Sequence, residues 1–245
     1  MKTKLPVIVF FIGLLTAATS CKTSQKTTES QMTIYIEKNN GLPKMKMSFI
    51  NGQGYNYPTF VVWKESLEGK YIETLFITQS YATGIFGHEM QGDSLWKKTA
   101  GPSYQPAALP YWTYKKGLIG NKNLIPTPDS PFVDAYSGAT PEYNFDLNLH
   151  ASQSPAYRIL VEVNQTWDWN VFWNNGKYPE SQAYKHSAQP SLIYAVEINE
   201  SSETFYLNPI GHGDPTGNSG KLFTDLSTLT SAKTIFETIK IEFIQ

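Results

Sequence analysis

The four histidines are the side chains best suited to acid–base or metal chemistry, and they are scattered along the chain at His88, His150, His186 and His212. No two of them have the spacing of a metal-binding motif, and His88-Glu89 lacks the second histidine of a zinc-protease helix. His212, in Gly211-His212-Gly213-Asp214, is the most suggestive. We favour the ordinary interpretation, in which this loop histidine bonds a backbone carbonyl, so the sequence predicts no metal site.

Two further catalytic patterns fail at specific positions. Residues 213–222 look like a phosphate-binding loop because Gly220-Lys221 follows a Gly-rich run, but Pro215 replaces the first required glycine. Leu222 also replaces the Ser or Thr that would bind Mg²⁺. We interpret this run as a loop between strands. No Gly-x-Ser-x-Gly elbow is present either, so we expect no catalytic residue and no enzymatic activity.

A group of aromatic residues follows the strand that ends at Val163, in a segment rich in Asn and Gly: Trp167, Trp169, Phe172, Trp173 and Tyr178. If exposed, such rings form a flat surface for sugar stacking or for a partner. Alternatively, the alternation of Trp167, Trp169 and Val171 fits a strand edge, and the rings fold back to cap one end of the domain. We favour capping, and we keep Trp167, Trp169, Trp173 and Tyr178 as candidate ligand-stacking residues.

The most specific pattern is Asp134-Ala135-Tyr136-Ser137-Gly138-Ala139-Thr140. It resembles the Asp-x-x-Ser/Thr-Gly-Ala-Thr motif of proteins that bacterial flavin transferases modify. The resemblance implies that Thr140 would carry FMN through a phosphoester. Small Ser137, Gly138 and Ala139 would let a second protein approach the backbone, and Asp134 would order the turn or help to bind the metal-laden substrate. FMN is the one cofactor that the sequence suggests, and none is firmly indicated.

Pro141 is a departure that favours a structural role for the same segment. It follows Thr140 directly, biases that residue toward extended backbone angles and crowds its hydroxyl. The segment would then be an extended stretch that ends in a Gly turn and leads into a strand at Tyr143. We favour this interpretation and keep FMN attachment as an alternative.

Residues 1–20 predict a lipoprotein signal peptide. Lys2 and Lys4 precede an uncharged apolar run over residues 5–18, which is shorter than the roughly 20 residues of a transmembrane helix. The run ends in Ala18-Thr19-Ser20-Cys21, which resembles the lipobox of bacterial lipoproteins. That resemblance implies cleavage before Cys21 and its acylation, so the protein is expected in the bacterial cell envelope, facing the periplasm or the surface.

Cys21 is the only cysteine, and the chain therefore has no disulfide. Residues 21–31 predict a flexible tether, because residues 22–31 contain no apolar side chain. Residues 32–245 are expected to form a single domain.

Short apolar runs with alternating polarity predict about nine strands in that domain. They cover residues 32–37, 44–49, 60–63, 71–77, 143–149, 157–163, 191–198, 204–207 and 239–244. Glu68-Gly69-Lys70 predicts a hairpin turn between the third and fourth. Many short strands without long helices are typical of an antiparallel sandwich, so we expect an all-β, immunoglobulin-like sandwich.

Residues 81–131 interrupt this pattern and contain six prolines. A connection of this length is unusual and often functional. Asp93 predicts the cap of a short helix over residues 93–98, and a second short helix is expected over residues 229–237. The fold class is therefore a sandwich with one long irregular insertion and one or two short helices.

The composition excludes several classes of protein. The 245 residues carry 20 Lys and Arg against 21 Asp and Glu, a formal net charge of -1. That balance lacks the basic excess typical of nucleic-acid binding. An aromatic content of 14% with only 17% charged residues also excludes a disordered chain.

The chain from about residue 57 onward resembles a family of predicted periplasmic proteins of unknown function, often encoded near flavin transferases or membrane redox proteins. The resemblance lies in residues 60–63, 71–75, 106–112, 134–141, 161–165, 189–194 and 210–212. It implies an immunoglobulin-like sandwich and an envelope role, and it supplies no established activity. A more distant resemblance to immunoglobulin-like parts of secreted and flagellar-hook assembly proteins adds nothing about chemistry.

Three functions stay open. We favour a non-catalytic, lipid-anchored protein that binds or scaffolds an envelope partner. One form of this hypothesis gives it an accessory role in redox reactions outside the cytoplasm. The first alternative is an electron carrier with FMN esterified to Thr140. The second is a glycan-binding module that uses residues 167–178. The expected partners are the membrane, through acylated Cys21, and an envelope protein, but no nucleic acid.

Overall fold

The structure is a computed structural model that describes residues 31–36, 44–91, 95–151, 156–199 and 204–244. The predicted signal peptide, most of the tether and Cys21 lie outside the described residues. No helix within these ranges combines the length and the apolar character that crossing a membrane requires.

The described residues form fifteen strands, three short α-helices and one 3-10 turn. The strands are β1 (Met32–Tyr35), β2 (Lys44–Asn51), β3 (Thr59–Glu65), β4 (Tyr71–Thr78), β5 (Ile85–Phe86), β6 (Glu89–Gln91), β7 (Leu95–Lys97), β8 (Gly101–Pro102), β9 (Tyr136–Gly138), β10 (Phe145–His150), β11 (Tyr157–Asn164), β12 (Leu192–Ile198), β13 (Thr204–Tyr206), β14 (Asn208–His212) and β15 (Phe236–Ile244). The helices are α1 (Gln79–Thr83), α2 (Pro110–Lys116) and α3 (Gln182–Ser187), and the 3-10 turn is Ser231–Thr234.

Two large sheets form the layers of a sandwich, which confirms the predicted all-β fold. Sheet A has the strand order β1-β10-β2-β15-β13, and sheet B has the order β14-β12-β11-β3-β4-β9. Both sheets are mixed rather than purely antiparallel, because β1 runs parallel to β10 and β9 runs parallel to β4. Each parallel pair lies at a sheet edge and joins strands that are far apart in sequence, as parallel pairing requires.

Aromatic side chains from both sheets pack between the layers. Phe49 of β2 has its ring centroid 5.7 Å from that of Phe60 in β3 and 4.5 Å from that of Phe145 in β10. Phe236 of β15 packs against the same rings. All four are buried, and full burial of such a ring contributes roughly 1.5–3 kcal/mol. This cluster is the main core and joins sheet A to sheet B.

The strand β3, in the middle of sheet B, is buried on both faces. Every residue of β3 is buried, because Phe60 and Val62 face the main core while Val61 and Trp63 face a second apolar cluster. Side chains from residues 81–132 build that cluster, among them Trp112 of α2. The long insertion is therefore a third layer over sheet B, and it explains why residues 60–63 of β3 are all apolar.

The short helices differ from the predicted ones. Residues 95–97 form β7, so the helix predicted over residues 93–98 is wrong; Asp93 itself lies outside the described residues. The helix expected over residues 229–237 is limited to one 3-10 turn, because Phe236 already begins β15. α2 is not predicted, although Pro110 occupies its first turn, where a missing N–H is tolerated.

Candidate functional site

Four strand ends converge at one end of sheet B. β3 begins there at Thr59, and its antiparallel neighbours β4 and β11 end there at Thr78 and Asn164. β9 runs parallel to β4 and ends beside it at Gly138. The segments that follow or precede these ends are brought together by sheet topology alone, although they are far apart in sequence.

These segments enclose a groove of about 790 Å³, here called the Thr140 groove. This is within the usual range for small-molecule sites, about 300–1,000 Å³. Its lining consists of Asn56, Tyr57, Thr59, Gln79, Ser80, Thr83, Ile85, Phe86, Gly87, His88, Gln105, Ala139, Thr140, Thr166 and Trp167. Among these described lining residues there is no Asp, Glu, Lys or Arg. The groove therefore presents hydroxyl, amide and aromatic groups.

Two aromatic residues of the groove have left-handed backbone angles. Tyr57 has φ of 47° and Trp167 has φ of 59°, a conformation that costs a residue with a bulky side chain about 1–2 kcal/mol. Both side chains are substantially exposed, 59% for Tyr57 and 41% for Trp167. Strained backbone persists only where its surroundings hold it, and it concentrates at binding sites.

Hydrogen bonds fix the backbone of Trp167 and of Asn56, the residue before Tyr57. The backbone N–H of Trp167 donates to the carbonyl oxygen of His186 over 2.7 Å. The backbone N–H of Asn56 donates to Oε1 of Gln165 over 2.9 Å, which ties the Tyr57 segment to the Trp167 segment. The ring of His88 meets that of Trp167 edge to face, with centroids 5.5 Å apart. The two aromatic residues are thus preset by the fold.

Thr140 faces this groove together with Ala139. Its side chain is half-buried, and its hydroxyl donates to the carbonyl oxygen of Pro58 over 3.1 Å. Pro141, which follows, is buried. The predicted attachment residue therefore lines the same groove as Trp167, one of the predicted stacking residues.

The rest of the Asp134–Thr140 pattern forms an extended edge of sheet B. Ser137 lies in β9 and is exposed, and Gly138 ends that strand rather than forming the expected turn. Asp134 is exposed on the far side of β9, where its charge acts on Lys116, whose pKa burial lowers to about 8. β9 lies between Asp134 and Thr140 along the chain, and Asp134 is not among the residues that line the groove.

The aromatic segment is divided between several environments. Trp169 is 37% exposed and packs edge to face on Tyr184. Trp173 is 4% exposed and joins the main core, as the capping interpretation predicts. The segment contains no strand, and Val171 is 97% exposed, so the expected strand edge is wrong. Asn170 explains the difference, because its Oδ1 accepts the N–H groups of Phe172 and Trp173 and folds the chain into a turn.

A second groove, here called the Lys177 groove, has a volume of about 640 Å³. Its lining includes Tyr178, Phe172 and Phe223. Lys177 Nζ lies 3.2 Å from the ring centroid of Phe172, and Lys221 Nζ lies 5.1 Å from that of Phe223. Each such contact is worth about 0.5–1 kcal/mol or more, so a ligand would have to displace lysines before it could stack on these rings.

His212 lines the Lys177 groove as a structural residue. Its Nδ1 donates to the carbonyl oxygen of Gly213 over 2.8 Å, as predicted, and its ring stacks on Phe223 at 5.2 Å. Burial lowers its pKa. No group of three or more His, Cys, Asp or Glu side chains within the part of the chain that the structure describes is arranged to hold a metal ion.

Glu162 is a buried acid that sequence analysis does not single out. It lies in β11 with no exposed surface and accepts bonds from Tyr111 N–H over 3.1 Å, Trp112 N–H over 2.7 Å and Ser191 Oγ over 2.6 Å. Burial raises its pKa to about 7. These bonds fasten the start of α2 to sheet B. The available signal was a single acid inside the apolar run Ile159-Leu160-Val161-Glu162-Val163.

Comparison of the chain with protein-family models, with curated proteins and with solved structures finds no match. The functional interpretation therefore depends on the geometry of the Thr140 groove. That groove is preferred over the Lys177 groove because its aromatic rim is preset and no lysine lines it.

Proposed function

We propose that this protein is a non-catalytic binding protein of the bacterial cell envelope, anchored through acylated Cys21. The observation that carries the proposal is the Thr140 groove. Its rim holds Tyr57 and Trp167 in left-handed backbone conformations at the meeting point of four strand ends. A preset site loses little conformational freedom on binding, which favours affinity.

The groove is built as a recognition site rather than as part of the core. Ile85 is 45% exposed at its wall, whereas Thr59 and Gln105 are buried polar residues in its lining. A lining of exposed aromatic and aliphatic surface with a few hydroxyl and amide groups resembles the usual composition of ligand sites, in which a small number of polar groups fix orientation. This supports binding of a discrete ligand or of a chemical group on a larger partner.

Gly87 offers a direct test of this proposal. It lines the groove, and a Cβ added there would meet no atom within 4 Å. Gly87→Leu should therefore fold normally while its side chain occupies the mouth of the groove. Exposed Gly176 lies outside the two grooves, and its added Cβ would make only an ordinary contact at 3.4 Å with Asn174. Gly176→Leu is the matched control.

The measurement is the thermal shift of the purified mature chain with three defined probes. These are chitotetraose as a neutral glycan, tetraalanine as a peptide, and phosphatidylglycerol vesicles as a lipid surface. We expect at least one probe to raise the Tm of the parent and of Gly176→Leu but not of Gly87→Leu. The proposal is contradicted if no probe raises the Tm, or if Gly87→Leu responds as the parent does.

Covalent FMN at Thr140 is a second candidate function, favoured by the position of Thr140 in the same groove as Trp167. In that reaction the Thr140 oxygen would attack the FMN phosphorus of FAD, lose its proton and release AMP. When bound, FMN supplies electron transfer. The residues fit in part: Trp167 and Tyr57 could flank a flavin ring, but the Thr140 hydroxyl must first leave the Pro58 carbonyl.

Intact mass after co-expression with a flavin transferase tests the second candidate. We expect a gain equal to FMN minus water, together with flavin fluorescence, in the parent and in Thr166→Ala, which changes another threonine of the groove. Thr140→Ala should show neither. An unmodified parent in the presence of an active transferase, or a modified Thr140→Ala, excludes this function.

A further inference from the structure

We infer that the ligand of the Thr140 groove is a neutral glycan, with one sugar ring stacked at Trp167. The inference rests on the proposed binding function and gives its ligand class. It differs from the sequence-based idea of a platform over residues 167–178, because only Trp167 of that segment's aromatic residues lines the groove.

The lining matches a polyhydroxylated, uncharged ligand. Asn56, Gln79 and Gln105 carry amide groups, and Ser80 and Thr83 carry hydroxyl groups. Amides and hydroxyls each provide donors and acceptors, and sugar hydroxyls need both. Hydroxyls around a sugar ring would meet such groups on the groove wall, so the polar lining can bind without any formal charge.

The aromatic rim suits the apolar face of a pyranose ring. Trp and Tyr combine a flat apolar surface with a polar group at one end. Trp167 is 41% exposed, and the ring of His88 contacts its indole edge to face with centroids 5.5 Å apart. Tyr57 is 59% exposed on the same groove. Two such rings at one groove provide stacking for one or two adjacent sugars.

The electrostatics disfavour charged ligands. Phosphate and carboxylate groups are usually bound by Arg or Lys side chains, and no Arg or Lys is present among the described residues that line the groove. The helix α1 begins in the groove at Gln79 but has only five residues. Glu142 lies just outside, and its negative charge raises the pKa of the Tyr57 hydroxyl. An anionic ligand such as a nucleotide or an acidic lipid would meet that carboxylate without a compensating cation.

Titration calorimetry with the mature chain tests the ligand class. The probes are chitotetraose and cellotetraose as neutral glycans, and tetragalacturonate as an anionic glycan of similar size. We expect saturable binding of at least one neutral probe and at least tenfold weaker binding of tetragalacturonate. Failure of both neutral probes, or preference for tetragalacturonate, overturns the inference.

Trp167→Ala and Trp169→Ala form a matched pair for the stacking residue. They remove the same side chain from the same segment, but only Trp167 lines the groove. Loss of one stacked ring should weaken neutral-glycan binding roughly two- to tenfold in Trp167→Ala and less than about twofold in Trp169→Ala. Equal loss in both variants overturns the assignment. Circular dichroism checks folding, and Gly87→Leu provides a blocked groove that should fold even if Trp167→Ala does not.

The failure of this inference can be distinguished from failure of the proposed function. If tetraalanine or lipid vesicles, but neither neutral glycan, stabilise the parent and fail to stabilise Gly87→Leu, the groove binds a different ligand class. The glycan inference is then wrong while the binding function stands. If no probe depends on Gly87, both are wrong.

Discussion

The buried carboxyl of Glu162 should make the stability of this protein depend on pH in an uncommon direction. Its pKa in the folded chain is about 7 instead of the ordinary 4.5, because burial disfavours the ionised form. Between these pH values the folded chain binds more protons at this site than the unfolded chain. The free energy of unfolding must therefore decrease as the pH rises from 4.5 to 7.

The size of this effect follows from the two pKa values. A change from 4.5 to about 7 corresponds to roughly 3 kcal/mol of unfolding free energy. The Glu162 contribution is most favourable below pH 4.5, and the penalty is complete above about pH 7. Three hydrogen bonds to Tyr111, Trp112 and Ser191 favour the ionised form, but desolvation is the larger cause.

His186 changes stability in the opposite direction over nearly the same range. Burial lowers its pKa from 6.5 to about 4, so its contribution is present above pH 6.5 and is lost as the pH falls toward 4. The pH dependence of the parent's unfolding free energy therefore contains the contributions of both Glu162 and His186. The difference between the parent and Glu162→Gln cancels the His186 contribution and isolates the carboxyl.

Urea unfolding of the parent and of Glu162→Gln provides the measurement. The unfolding free energy of the parent minus that of the variant should fall by roughly 3 kcal/mol between pH 4.5 and 7. Glu197→Gln on β12 is the control, because that side chain is exposed and should show a much smaller pH-dependent difference. A Glu162 difference that is flat, or that increases with pH, would refute the argument.

Three other changes test the anchor, the core and a turn. Cys21→Ser should move the protein from the detergent phase to the aqueous phase in a phase-partition assay, because it removes the acyl chains; an unchanged partition would contradict the lipoprotein prediction. Trp173→Ala should lower the unfolding free energy in urea by about 3–5 kcal/mol because the ring is buried. Phe172→Ala removes a ring that is 47% exposed and should lower it by less than about 1 kcal/mol. Similar losses of unfolding free energy in the two variants would disprove the assigned core position of Trp173. Gly84→Ala should lower the Tm, since Gly84 has φ of 68° and an added Cβ would lie 2.9 Å from the Thr127 backbone. Gly87→Ala places its Cβ in open space and should leave the Tm nearly unchanged. An unchanged Tm in Gly84→Ala would refute the predicted backbone strain at that position.

The strands of the fold could be predicted because the alternation of polar and apolar residues is visible within the sequence of each strand. All nine predicted strands have counterparts in the structure, and the β3–β4 hairpin turns at Gly69 with φ of 81°. In β2 and β10, the alternation of polar and apolar side chains indicates that one face of each strand is buried. The layer formed by residues 81–131 was not predictable in the same way, since its apolar residues have no regular period and contact sheet B through tertiary packing.

The Thr140 groove could be predicted only in pieces. Thr140 and Trp167 are each conspicuous in the sequence, but nothing in their spacing brings them together; the topology of sheet B does so. The left-handed backbone of Tyr57 and Trp167 is not encoded by glycine or asparagine at those positions, so local preference gave no indication of it. The surrounding loops impose it.

The position of the insertion limits how this protein can be shortened. Trp63, Ile77 and Leu160 line the outer side of sheet B beneath residues 81–132. A version trimmed of that stretch would not be a smaller sandwich; it would be a slab with a bare apolar flank, prone to self-association. A shortened version for crystallography or engineering must keep this covering segment, and deletions must be made in other parts of the chain.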